Sequence, residues 1–210
     1  MTVDRKALMT ERRNLHQVFS TASEQISSSF GKRILSTSDT DVKVARQVKN
    51  LYGDARRTVN SAVDSVVQTR MQGMRDVLAK AEIPGMTEKE LEKLQNKVMK
   101  NLSGSFKGAT LAQRMKVAEG MAQKRMGQEV ASATSERASQ MAKGRVSSYL
   151  TNSTADGIYL QGGSAYRYLD RILTSEMARA EQEATKSFLN ETGLLGRWCL
   201  SPNHKKYAIS

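Results

Sequence analysis

Cysteine is nearly absent from this chain. Cys199 is the only one, so no internal disulfide framework can form, and the sequence predicts a reducing compartment or one where disulfides play no part. Proline is almost as scarce: with only Pro84 and Pro202, long stretches are free of the ring that breaks helices. Histidine occurs twice, at His16 and His204, which leaves a Ser-His-Asp or Cys-His catalytic arrangement without support. Aromatic residues make up 5% of the chain, too few for a thick enzyme core of the aromatic-rich kind. No apolar run approaches the ~20 residues that a membrane span requires. Met1-Thr2-Val3-Asp4-Arg5-Lys6 lacks the apolar core of a secretory leader, so none is expected.

What remains is helical material with an excess of positive charge. Hydrophobic residues, chiefly Ala, Met, Leu and Val, account for 39% of the chain, and such residues favour long helices packed through small side chains. The formal net charge is +12, from 33 Lys and Arg against 21 Asp and Glu. The excess is spread along the chain, and only residues 151–192 are net acidic. A dispersed cationic surface suits attraction to nucleic acid or to an acidic protein wall better than base-specific readout.

Apolar spacing divides the chain. Ala7, Leu15, Val18, Phe19, Ala22, Ile26 and Phe30 recur at helical steps within residues 3–35. A clearer stripe runs for about forty residues from Val44 through Leu51, Val59, Val67 and Met71 to Ala81, a rod of roughly 60 Å. Ile83-Pro84-Gly85 ends it. Thr87 and Glu90 have the spacing of a capping box, and that short helix stops near Asn101-Leu102-Ser103-Gly104. A second long stripe then runs from Leu111 to Tyr149, rich in Ala, Ser, Met and Gly. Loop residues 152–157 follow, and Ile158-Tyr159-Leu160 reads as either one short strand or a packing plug. A last helix is expected over residues 165–192, with Gly193 as its stop. The expected fold is mainly α: an extended long-helix architecture with a small irregular or α+β C-terminal part. Its regions are a long-helix region at 1–82, a short helix and linker at 83–108, and a helical region at 109–210.

Few residues point to chemistry. Cys199 and His204 could form half of a zinc site, but no second ligand pair exists, so no metal and no cofactor are expected. Ser103-Gly104-Ser105-Phe106-Lys107-Gly108 lacks the Gly-Lys-Ser/Thr of a phosphate loop and reads as a turn between helices. Gly162-Gly163-Ser164 is either a hinge or the anion-holding start of a helix. Glu176, Glu181 and Glu183 read as an exposed charged face, paired with Arg171, Arg179 and Lys186. The candidates for phosphate or acidic-partner contact are the doublets Arg12-Arg13, Lys32-Arg33, Arg56-Arg57, Lys124-Arg125 and Lys205-Lys206. Aromatics do not interleave with them, which argues against a stacking platform for single strands.

The C-terminal part resembles a known family. Arg171-Ile172-Leu173-Thr174-Ser175-Glu176-Met177-Ala178-Arg179-Ala180, then Gly193, then Trp198-Cys199-Leu200-Ser201-Pro202-Asn203-His204, is similar to the minor head proteins of tailed bacteriophages, the Mu F-like head morphogenesis family. Leu102 to Gly108 resembles the upstream part of such domains. Carried over residue by residue, the motif positions are Arg171, Glu176, Gly193, Trp198, Ser201, Pro202 and His204. The resemblance implies a non-enzymatic structural protein present in several copies inside the phage head. It would assemble in the host cytoplasm, dock on portal or inner capsid, and contact packaged double-stranded DNA or be ejected with it. The alternative from the residues alone is a helical DNA-binding or scaffolding protein indifferent to sequence.

Overall fold

Each long apolar stripe must find cover, and in the computed structural model the cover comes from the chain's own helices. Residues 4–30, 37–83, 85–151 and 163–194 are described. Six helices span them: α1 (Arg5–Ser29), α2 (Thr37–Lys80), α3 (Glu88–Leu102), α4 (Leu111–Ser132), α5 (Glu136–Leu150) and α6 (Ser164–Glu191). The fold is mainly α, as the spacing predicts. The doublet Lys32-Arg33, the segment Ile158-Tyr159-Leu160 and everything from residue 195 onward lie outside the described residues.

The spine is α2, 44 residues and about 66 Å long, against which α1, α3, α4 and α6 all pack. Its inward stripe turns slowly around the helix, because 3.6 residues per turn does not match the spacing of its apolar side chains. Along its first two thirds, Val44, Val48, Leu51, Ala55, Val59 and Ala62 join the core made with α1, α4, α5 and α6. Further along, Val63, Val67, Met71 and Leu78 join a second core with Leu91, Leu94 and Val98 of α3 and Ala180, Ala184 and Phe188 of α6. Val66 packs against both cores.

The few aromatics are concentrated where three helices meet. Phe19 of α1 makes edge-to-face contacts with Tyr52 of α2 at 6.3 Å and Tyr166 of α6 at 5.8 Å, and His16 meets Tyr166 at 5.6 Å. Burial raises the pKa of both tyrosines well above the ordinary phenol value, so they stay neutral.

Two features of the second half depart from expectation. The stripe from Leu111 to Tyr149 is not one rod but two helices, broken at Ala133 and folded back on one another. The Ser and Thr residues there offer the backbone other partners: Ser132 Oγ donates to the Glu129 carbonyl, and Ser135 Oγ caps α5 by accepting from the Ala138 N–H. Most of the Ala- and Met-rich stripe therefore faces inward, with Met121 and Met141 left exposed. Met115, Ala118, Ala122 and Met126 are buried by this chain and not left for another protein. The α3–α4 connection is the predicted turn, with Lys107 and Gly108 both at positive φ and Phe106 paired to Ala109 in a short antiparallel bridge.

Two capping boxes set the starts of α3 and α4. Thr87 and Glu90 bond reciprocally as expected, and Thr110 and Gln113 do the same, a second box that the sequence reading passed over. The Thr87 hydroxyl and backbone N–H both donate to the Glu90 carboxylate and lower its pKa. A lowered folded-state pKa gives stability that is present above the unfolded value and lost as pH falls through the folded one. Thr87→Ala should therefore cost about 1 kcal/mol in urea unfolding at neutral pH. That cost should shrink on acidification below the ordinary glutamate range; an equal cost at every pH would contradict the box.

Candidate polyanion interface

The chain's charges sort into two populations, and the buried carboxylates show how. Glu176 of α6 is only 2% exposed, which corrects the reading of this helix as carrying a solvated acidic face. Its carboxylate accepts from the Arg114 guanidinium of α4 on one oxygen and pairs with Arg179 at 3.5 Å on the other. Arg179 also donates to the carbonyls of Leu102 at 3.1 Å and Asn101 at 3.2 Å, capping the C-terminal end of α3. Both guanidinia lie over the Phe106 ring, at 5.8 and 5.2 Å from its centre. Two of the segments that carry the resemblance, Leu102–Gly108 and Arg171–Ala180, are thus joined through one buried cluster. The sequence held half of the signal: Glu176 falls in the apolar stripe between Leu173 and Ala180. Its partner Arg114, 62 residues away, could not be read from spacing.

Two further carboxylates are engaged in the same way. Glu129 of α4 is buried and pairs with Arg125 at 2.9 Å and Arg145 of α5 at 3.1 Å, tying the folded-back helices together. Asp170 of α6 takes Arg12 of α1 in a two-pronged contact, at 2.6 and 3.0 Å, and the Tyr166 hydroxyl donates to the Arg12 carbonyl. Arg12 and Arg125 are expected as phosphate contacts; the structure pairs Arg12 with Asp170 across helices, and pairs Arg125 with Glu129 on its own helix while leaving its side chain half exposed.

The other candidates divide cleanly. Arg13, Arg56, Lys124 and Arg171 are exposed. Arg57 pairs with Asp54 on its own helix and stays largely exposed. Gly193 ends α6 at φ +68, the left-handed conformation a helix stop needs. Lys32, Arg33, Trp198, Ser201, Pro202, His204, Lys205 and Lys206 lie outside the described residues. Gly163 starts α6 tight against α5: a Cβ there would sit 2.2 Å from the Tyr149 carbonyl oxygen, so only glycine fits, while Gly162 lies outside the described residues. Glu181 and Glu183 are partly exposed, the latter accepting from Asn101 at 3.0 Å. Among the described residues no three His, Cys, Asp or Glu side chains gather in the way a metal requires. No helix described is long and apolar enough to cross a membrane.

The cations that face outward follow helical spacing more than doublets. On α2, Lys43, Arg46, Lys49, Arg56 and Arg57 are all exposed, opposite the buried stripe of Val44, Val48, Leu51, Ala55 and Val59. On α3, Lys89, Lys93, Lys97 and Lys100 form an exposed ridge opposite Leu91, Leu94, Val98 and Leu102, with Lys97 near Glu191 at 3.7 Å. Steps of three and four would have found both, but a search for adjacent pairs does not. The uncovered apolar surface is smaller. It includes Val42 on α2, Val117 and Met121 on α4 and Met141 on α5, each more than half exposed, and a groove of about 560 Å³ between α2 and α6 lined by Val66, Met74, Val77, Phe188 and Leu194.

No family model, no curated protein and no solved structure matches this chain. The resemblance to phage head proteins therefore stands on its own quoted residues.

Removing the Glu176 carboxylate would leave two largely buried guanidinia without a counter-charge. Glu176→Leu should lower unfolding free energy by about 3–5 kcal/mol. Adding Arg114→Met should recover part of that loss, because the orphaned cation goes with it. Losses that simply add would show that the pair is not coupled.

Proposed function

We propose that this chain is a non-enzymatic structural protein that lies against a polyanion, and more particularly a minor head protein of a tailed phage that contacts packaged DNA while docked on portal or inner capsid. The observation that carries the polyanion part is the charge sorting. Glu129, Asp170 and Glu176 turn inward onto arginines, while five of the eight cations of α2, from Lys43 to Arg57, and the four lysines of α3 face out. Such a surface holds phosphates through counterion release without reading bases. The head assignment is supported by the resemblance at Arg171–Ala180 and Leu102–Gly108, whose residues share the Glu176 cluster. The groove between α2 and α6 offers a protein partner apolar contact.

A sequence-indifferent DNA-binding or scaffolding protein is the second reading, and the same outer face favours it. Co-purification separates the two. As a head protein, the chain travels with portal or capsid protein through gradient-purified particles. Its consistent loss from particles, with no portal or capsid partner captured, would end the head assignment. Both readings predict duplex binding that weakens steeply with salt. Affinity unchanged between low and high salt would end both.

A further inference from the structure

Gly53 sits in the middle of α2's cationic face, where a helix gains nothing from a glycine. It has neighbours on that face one turn away in each direction: Lys49 and Asn50 before it, Arg56 and Arg57 after it. A Cβ built at Gly53 would meet nothing within 4 Å, so no packed neighbour demands the missing side chain. Its φ is not in the left-handed range, so backbone conformation does not demand it either. A mid-helix glycine is destabilising relative to alanine. Gly73, Gly120 and Gly144 are equally open, and Gly53 differs in having Lys49, Arg56 and Arg57 within one turn of it, which makes it the candidate for use. One such use is the close approach of another backbone.

The composition of this face says what approaches. From Lys43 to Asn60, the positions stepping by three and four are Lys43, Arg46, Lys49, Asn50, Gly53, Arg56, Arg57 and Asn60, all exposed except the half-buried Gly53. Asp54 lies at the edge, paired with Arg57, and the exposed Asp64 closes the tract. The aromatic of this stretch, Tyr52, points into the core, so no ring is available for bases to stack on, as a single strand requires. Lys43 to Arg57 spans about 21 Å of rigid helix, against which the same length of duplex sets roughly a dozen phosphate charges.

We propose that the outer face of α2 from Lys43 to Asn60 tracks the backbone of a double-stranded nucleic acid, with Gly53 as the notch where a phosphodiester comes closest to the helix. This rests on the polyanion reading above and adds the polymer, the face and the point of contact. Asn50 and Asn60 supply uncharged donors beside the notch, and the flanking lysines and arginines supply the charge.

Gly144 of α5 is the natural control. It too has open space for a Cβ, but the residues one turn away are Gln140, Met141, Ser147 and Ser148. The experiment compares the full chain with Gly53→Ala, Gly144→Ala and Lys49→Gln, measuring thermal unfolding and binding to a short random-sequence duplex, a matching single strand and poly-glutamate. Both glycine variants should melt about 2–4 °C higher. Gly53→Ala should nevertheless bind the duplex about threefold or more weakly, and Lys49→Gln should lower the salt dependence by about one phosphate contact. Gly144→Ala should bind as the parent does. Duplex affinity untouched by Gly53→Ala would overturn the notch, leaving the polyanion reading intact. Equal or tighter binding to the single strand or to poly-glutamate would overturn the duplex assignment. A parent chain that binds none of the three at low salt would overturn the polyanion reading itself.

Discussion

The inward face of α2 is the constraint on which the rest of the structure depends. No proline interrupts residues 37–80, so one helix runs the length of the bundle and lends its apolar side to both cores. Burying Val44, Val48, Leu51, Ala55 and Val59 fixes the rotation of the helix about its axis. Once that rotation is fixed, residues half a turn away have only one place to go. Lys43, Arg46, Lys49, Arg56 and Arg57 are held on the outside by what lies behind them, on a scaffold too stiff to fold the charges back.

The inward-turned carboxylates, two of them buried and Asp170 partly so, complete this division. Each of Glu129, Asp170 and Glu176 ties two helices: α4 to α5, α1 to α6, and α4 to α6. Buried ion pairs are weak contributors to net stability, because both ions lose water, but they strongly penalise any packing that separates them. Their effect here is to specify which helices lie together in a core built largely from small, interchangeable Ala, Val and Met side chains. A second effect is electrostatic. Acidic groups engaged inside do less to neutralise the outer surface, where α2 presents its row of exposed cations.

Much of this was legible in the sequence, wherever the signal was local. The capping box at Thr87 and Glu90, the long helix before Pro84, the turn at Lys107-Gly108 and the glycine stop at Gly193 all follow from a few adjacent residues. The break between α4 and α5 was missed because Ala133 keeps the apolar rhythm while the surrounding Ser and Thr hydroxyls compete for the backbone. The burial of Glu176 was missed because its partner is remote in sequence. Arg12 looked like surface charge for the same reason, since Asp170 is remote in sequence, whereas the Arg125–Glu129 pair lies at the i,i+4 spacing of one helix. The cationic charge is legible in the composition, but helical steps of three and four, not adjacent doublets, group it by face.

The resulting molecule is a stiff helical body, held together from within by apolar stripes and shielded carboxylates, with cations arrayed along one outer rod. The most direct measurement is the reactivity of individual lysine amines towards an acylating reagent, read by mass spectrometry with and without duplex DNA. Lys43 and Lys49 should react readily in the free protein and become protected when duplex is added, while Lys143 on α5, a helix that does not touch α2, stays reactive. Lys43 and Lys49 already unreactive in the free protein, or left fully reactive while Lys143 is protected, would contradict the outward cationic face from which the function is argued.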